Sequence, residues 1–256
     1  LYLFVLMRVN CRYKSTVRIN KYFSILRPIL HLITNAIKRM KIVFLILFFT
    51  FVRVEAQSIV TDYDGNIYHT VEIGNQTWMV ENLKVTHYNN GTPVPVIANE
   101  DESWSDLTTG ALCWFENDSV NYKEKYGALY NYYAVIDERN ICPPGWHIPT
   151  KEEWLELINF LGGESKAGNN MKLTTAGHWN HNYNEETNQS GFSAVPSGGR
   201  GQLGPAGEVG NYATWWASTS HDELFAWHFG LYPVKTGIRY NPGHKASGFS
   251  LRCIKD

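Results

Sequence analysis

Cys142-Pro-Pro-Gly-Trp-His-Ile-Pro-Thr-Lys-Glu-Glu-Trp-Leu-Glu-Leu-Ile-Asn-Phe-Leu161 decides how the rest of this chain is read. It joins a cysteine, a short extended segment and a helix with marked ends. Pro149 disfavours helix just before it, and Thr150 and Glu153 make a T-x-x-E capping box. Trp154, Leu157, Ile158 and Leu161 then recur at i, i+3, i+4 and i+7. Gly162 ends the run. The pattern specifies an amphipathic helix whose apolar stripe must lie on a sheet, and so an α+β domain.

Working toward the N-terminus, Leu129, Tyr132, Tyr133 and Ile136 sit at helical spacing and predict a short helix, while Glu116 to Lys125 reads as a polar loop and Leu112 to Phe115 as a brief buried strand. Residues 87–110 are rich in Asn, Pro and acids and read as surface loop with a short strand at Pro93 to Ile97. Before them, Ser58 to Tyr63 and Ile67 to Ile73 flank Asp64-Gly65, a strong hairpin signal, and Gln76 to Val80 extends the meander. Asp62-x-Asp64-Gly65-Asn66 also matches the start of a calcium loop. The later ligand positions are missing, so a turn is the preferred reading.

Toward the C-terminus, residues 164–214 lack periodicity, far beyond the usual connection of about 4 to 6 residues. They are read as a long irregular loop region. Four short strands follow, around Trp215 to Ser218, Ala226 to Phe229, Gly237 to Tyr240 and Gly248 to Ile254. In the last, Phe249, Leu251 and Cys253 alternate with Ser250 and Arg252, predicting one buried and one polar face.

Composition divides the chain near residue 56. Residues 1–39 carry eight Lys or Arg and no acid, start at Leu1 and show no clean period. They read either as an extension upstream of the true start or as a basic cytoplasmic tail before an uncleaved anchor. Residues 40–56 read as a signal peptide: a basic start at Lys41, an apolar run from Ile42 to Val52, and Val54-Glu55-Ala56 before Gln57. The run falls short of the about 20 residues of a membrane span. Residues 57–256 are then one domain, secreted, periplasmic or at the cell surface. They hold 13 Lys plus Arg against 23 Asp plus Glu, which argues against nucleic acid as a partner.

All nine Trp lie in residues 57–256, where their roles divide between core packing and stacking platforms for sugars or peptides. Within the long loop, Trp179, Tyr183, Arg200 and Tyr212 are the candidate ligand-binding residues, for a glycan or a surface protein. An enzyme would draw instead on His178, His181, His221 and Asp222. No catalytic constellation is identified, H-E-x-x-H is absent, and no metal or cofactor is expected. Gly199-Arg200-Gly201-Gln202-Leu203-Gly204 matches G-x-G-x-x-G in form only, since Pro205 follows where a phosphate site needs a helix.

Five blocks carry a resemblance: G-N-Q-T-W-M-V-E-N-L from Gly74, Y-G-A-L-Y-N-Y-Y-A-V from Tyr126, C-P-P-G-W-H-I-P-T-K-E-E-W from Cys142, W-W-A-S-T from Trp215 and G-F-S-L-R-C-I-K-D from Gly248. In this order they closely resemble the Fibrobacter succinogenes major paralogous domain family. The resemblance implies an exported, often surface-associated bacterial protein whose fold is related to C-type lectins and to the formylglycine-generating sulfatase-modifying enzymes, with two short helices, antiparallel strands and a long loop region. It implies no established reaction. The lectins' E-P-N, Q-P-D and W-N-D calcium-sugar motifs are absent, as is the late cysteine pair of the sulfatase-modifying oxidases. By position, the lectin-like plan implies a disulfide between Cys142 and Cys253, leaving Cys113 unpaired and buried.

Overall fold

A computed structural model describes residues 28–29, 31–40, 58–97, 104–174, 178–180, 187–206, 209–232 and 236–256. The chain separates into two compact units, Leu1–Ala56 and Gln57–Asp256. In the first, residues 31–40 form helix α1, where sequence reading found no period. Its Leu32, Ile33 and Ile37 are exposed. The signal-peptide stretch from Lys41 onward lies outside the described residues. Among those described, no helix is long and apolar enough to cross a membrane.

The second unit is α+β. Strands β1 (Ile59–Thr61), β2 (Ile67–Ile73) and β3 (Gln76–Met79) form the expected meander. Two short strands complete the sheet, β6 (Trp146–His147) and β12 (Ile254–Lys255), in the order β1-β2-β3-β12-β6. The C-terminus thus inserts between the meander and the segment leading into the main helix. The Cys142–Cys253 disulfide lies beside this junction, with 6.0 Å between Cα atoms and 111 residues of separation. Cys113 is free and buried, and burial pushes its thiol up to about 11.

A two-stranded sheet pairs β4 (Leu112–Cys113) with β5 (Leu129–Tyr130). Between them, the segment read as polar loop contains α2 (Ser119–Tyr126). Its signal was the cap rather than an apolar stripe: Asp118 accepts from the Asn121 backbone N–H at 3.0 Å. The helix expected over 129–136 shrinks to α3 (Tyr132–Val135), capped by Asn131. Pro93 and Val96 make isolated bridges, to His87 and Leu112, rather than a strand.

Helix α4 (Lys151–Phe160) has the anticipated capping box, with Thr150 and Glu153 bonded reciprocally. The long loop is more structured than its sequence suggests. It holds α5 (Ala167–Met171) and the hairpin β7 (Gly199–Gly201) and β8 (Gly204–Ala206). The G-x-G-x-x-G match is this hairpin.

The last sheet, in the order β11-β10-β9, comprises β9 (Ala213–Ser220), β10 (Phe225–Leu231) and β11 (Ile238–His244). Strand β9 separates two apolar clusters, because consecutive side chains on a strand point to opposite faces. Trp215 joins Trp78, Trp154, Phe192 and Phe229, whereas Trp216 joins Tyr130, Tyr132, Phe249 and Leu251.

The strand expected from Gly248 to Ile254 is regular only at β12, with isolated bridges at Gly248, Phe249 and Ser250, and its expected polar face is also overturned. Ser250 and Arg252 do not form a solvated face, as both are fully buried. Arg252 donates to the Phe192 carbonyl and, at 2.8 Å, to Asn82 Oδ1, and its guanidinium lies 4.1 Å from the Phe192 ring centroid. Asn82 Oδ1 also accepts from Trp215 Nε1 at 2.8 Å. The Ser250 hydroxyl meets that of Ser197 at 2.8 Å. The polar side of this segment therefore fastens the long loop to the C-terminus through bonds at both terminal guanidinium nitrogens of Arg252 and at Ser250, while Arg252 Nε has no partner among the described residues. Burial pulls the Arg252 pKa down to about 9, so the side chain is still a cation at neutral pH.

Candidate functional site

The outer end of the three-stranded sheet gathers rings and charges that are only partly covered. Antiparallel pairing sets Phe229 opposite Tyr240 and Trp227 opposite Pro242. Trp227 and Tyr240 are half-buried, with ring centroids 5.9 Å apart. They have a rigid backing: Tyr240 contacts Phe229 at 5.3 Å, and Phe229 stacks on Trp154 at 4.9 Å. An aromatic series thus runs from the core to the surface.

Lys151, the first residue of α4, lies over this surface. Its backbone N–H donates to Thr219 Oγ1 at 2.9 Å, and the Ser218 N–H donates to the Pro149 carbonyl at 2.9 Å. These bonds clamp the start of the helix against the end of β9. The Lys151 ammonium sits 3.3 Å from the Trp227 ring centroid and 5.6 Å from that of Tyr240, a cation-π arrangement. Among the described residues it has no carboxylate partner.

Acidic groups frame the rings. Tyr240 donates its hydroxyl to Glu164 Oε1 at 3.0 Å, and this bond, with some burial, raises the phenol pKa. Glu164 opens the long loop, and its carbonyl accepts from the Ile238 N–H at 2.9 Å. The His221 ring lies 5.1 Å from Trp227, with Nδ1 at 2.8 Å from Asp222 Oδ2. Asp222 also accepts from the N–H groups of Leu224 and Phe225, which closes the β9–β10 turn. The bond to His221 and these two hold its carboxyl below the usual range. Aromatic faces, an ammonium and hydroxyl or carboxylate acceptors on one rigid surface suit a ligand with apolar faces and hydrogen-bonding edges.

The residues proposed from sequence are dispersed. Trp179 is buried, donating to the Ala194 carbonyl at 3.3 Å, so it packs the core and offers no ligand platform. The bulk of indole and the apolar cluster it shares with Phe192 and Ala194 account for that burial. Tyr183 and His181 lie outside the described residues. Arg200 is half-buried, with its guanidinium 4.7 Å from the Trp104 ring centroid and its backbone bridged to Gly248. Tyr212 makes an edge contact with Tyr232 at 5.6 Å. His178, whose pKa is lowered by burial and by Lys125, is not brought to the His221–Asp222 pair by any contact. Asp62 accepts from Asn66 and Tyr68, satisfying the hairpin turn. Among the described residues, no three or more His, Cys, Asp or Glu gather as metal ligands would.

Sequence reading placed Trp227 and Tyr240 in strands but did not assign them a role. The available signal was Phe225, Trp227 and Phe229 on alternate positions, with Lys151 directly after a helix cap. Comparison with curated proteins and with solved structures finds no match. The model of the Fibrobacter succinogenes major domain matches residues 71–255, from the second meander strand through the disulfide to the C-terminal strand, and the chain belongs to that family.

Proposed function

We propose that this protein is an exported, non-catalytic binding module whose ligand surface is Trp227, Tyr240, Lys151 and Glu164. The ligand is a neutral oligosaccharide. Support comes from the half-exposed Trp227–Tyr240 pair, held on a braced sheet beneath an ammonium that has no carboxylate partner among the described residues. Sugar rings stack their C–H faces on such rings and use their hydroxyls on flanking donors and acceptors. The acidic balance of residues 57–256 disfavours polyanionic glycans. The site moves from the centre of the long loop to its first residue and the neighbouring sheet, because Trp179 is committed to the core.

Glycan and peptide arrays probed with the full chain test this reading. Binding to neutral oligosaccharides, weakened about tenfold or more by Trp227→Ala, is the expected result and corresponds to about 1.4 kcal/mol. Binding confined to peptides rejects the glycan. Glycan binding unchanged by Trp227→Ala rejects the surface.

A further inference from the structure

Helix α4 carries a second stripe beside its buried one. Glu152, Leu155, Glu156 and Asn159 also fall at i, i+3, i+4 and i+7, and with Phe160 they face the turn between β2 and β3. Together with Ile73, Gly74, Asn75 and Gln76 they line an open cleft of about 570 Å³. Phe160 forms its end wall. A Cβ on Gly74 would stand 3.0 Å from the Phe160 ring, and Gly74 has φ +64°, so glycine lets the ring lie against the turn. The Gln76 side chain fixes the turn to the helix by donating to the Glu153 carbonyl at 2.9 Å.

Two features of this cleft lack compensation within the protein. Glu152 and Glu156 are like charges at i, i+4, both exposed, and neither has a hydrogen-bond or ion-pair partner among the described residues. The helix N-terminus favours Glu152 in the first turn, but its influence fades before Glu156. Phe160 is 64% exposed beside them. Local choices that conflict with folding preference are expected where a sequence serves binding.

We infer that this cleft takes an arginine side chain from a polypeptide partner, with the guanidinium between Glu152 and Glu156 and the aliphatic stem along Leu155 and Phe160. Arginine fits better than lysine because its planar fork pairs with carboxylates and stacks on an aromatic ring. The stretch from Glu152 to Phe160 extends about 12 Å along the helix, enough for a long side chain with adjoining backbone, and Asn75 and Asn159 line the same cleft. The site is distinct from the Trp227 surface, and failure of either leaves the other standing.

Isothermal titration of the full chain with an end-blocked pentapeptide bearing one central arginine tests the inference, with the same peptide carrying neutral citrulline as control. Expected are weak saturable binding of the arginine peptide and about tenfold weaker binding of the citrulline peptide. Binding also weakens about tenfold in Glu152→Gln/Glu156→Gln, and less in Phe160→Ala. Raising salt from about 50 to about 500 mM weakens it further. The double variant loses both the like-charge repulsion and the helix N-terminus's attraction for Glu152, each only tenths of a kcal/mol on an exposed surface, so its thermal midpoint stays within a few degrees and lost binding is not lost folding. Equal binding of both peptides, or binding indifferent to the double variant, overturns the inference. Absence of binding, or tighter binding of free spermidine than of the peptide, also overturns it.

Discussion

Trp154 and Trp227 are both indoles that contact the Phe229–Tyr240 part of the three-stranded sheet, yet they belong to different regions of the protein. Trp154 has no exposed surface and meets Trp78, Phe192, Trp215 and Phe229, with ring centroids between 4.9 and 5.8 Å. Trp227 is half-buried and meets Tyr240, His221 and the Lys151 ammonium. The first region holds the domain together, and the second presents chemistry that the domain does not need for itself. The difference lies in what surrounds each ring, which no property of tryptophan itself specifies.

The largest expected effect is the contrast between these two residues. Trp154→Ala removes a fully enclosed indole and leaves a cavity, which costs about 3 to 5 kcal/mol. Trp227→Ala removes a ring already partly in water and should cost about 1 kcal/mol or less. Urea unfolding followed by circular dichroism compares them directly. Equal losses would place Trp227 in the core and break the distinction on which the binding surface rests.

Next is the polar center behind the first region. Asn82→Ala removes an acceptor shared by Arg252 and Trp215, and a donor to the Tyr126 carbonyl. Stranding buried partners of this kind costs about 1 to 3 kcal/mol per group, with some recovery by relaxation, so a total of about 3 kcal/mol is expected. A loss below about 1 kcal/mol would mean that Arg252 finds other partners and that the network does not fasten the loop.

The same contrast explains how much of this molecule was legible in its sequence. The α4 cap, apolar stripe and terminating glycine were readable because each acts over a few residues, as were the β1–β2–β3 meander and its Asp64-Gly65 turn. Position in the resembled family, not local pattern, carried the Cys142–Cys253 pairing. Helix α2 was missed because its apolar stripe is weak, although the Asp118 cap was a local signal for it. The segment Phe249 to Cys253 alternates as an amphipathic strand would, yet its polar residues Arg252 and Ser250 face Asn82 and Ser197, supplied from 170 and 53 residues away. Trp179 was misjudged for the same reason. Whether an aromatic or an arginine is a platform or a buried contact depends on segments distant in sequence, and local patterns do not encode those encounters.

Histidine titration carries the comparison from packing to charge. His228 faces the Trp216 and Phe249 rings at 6.2 and 4.7 Å, and its Nδ1 has no partner among the described residues. Burial pulls its pKa down to about 4, against a weaker opposing contact with the Asn241 backbone. In acid the unfolded chain therefore takes up a proton that the folded protein refuses. Stability contributed by the neutral ring is present above about 6.5 and falls as pH drops toward 4. The expected loss between pH 6.5 and about pH 5 is about 1.5 kcal/mol, and His228→Gln should remove it. An unchanged acid slope in that variant would mean that water reaches the ring.

His147 should behave in the opposite sense and with the smallest effect. It sits at the exposed junction of β6, α4 and the C-terminus, with Nδ1 at 2.7 Å from Asp256 Oδ1 and Nε2 at 3.0 Å from Glu153 Oε1. Burial lowers its pKa, but the hydrogen bonds and charges of Asp256 and Glu153 outweigh this and hold it above the ordinary value. Folding therefore favours the proton. The contribution is complete below about 6.5, where both states are protonated, and is lost as pH rises through the elevated folded pKa. The side chain is 37% exposed and Asp256 61%, so solvent screening limits the contribution to a few tenths of a kcal/mol. Glu153 keeps its capping bond to the Thr150 N–H at 2.7 Å whichever state His147 adopts, so the helix cap should not loosen with the pair. An NMR titration of the His147 ring should give a pKa above 6.5 that moves down in Asp256→Asn. If it does not move, Glu153 alone holds the proton, and the Asp256 side-chain carboxylate is a neighbour without influence.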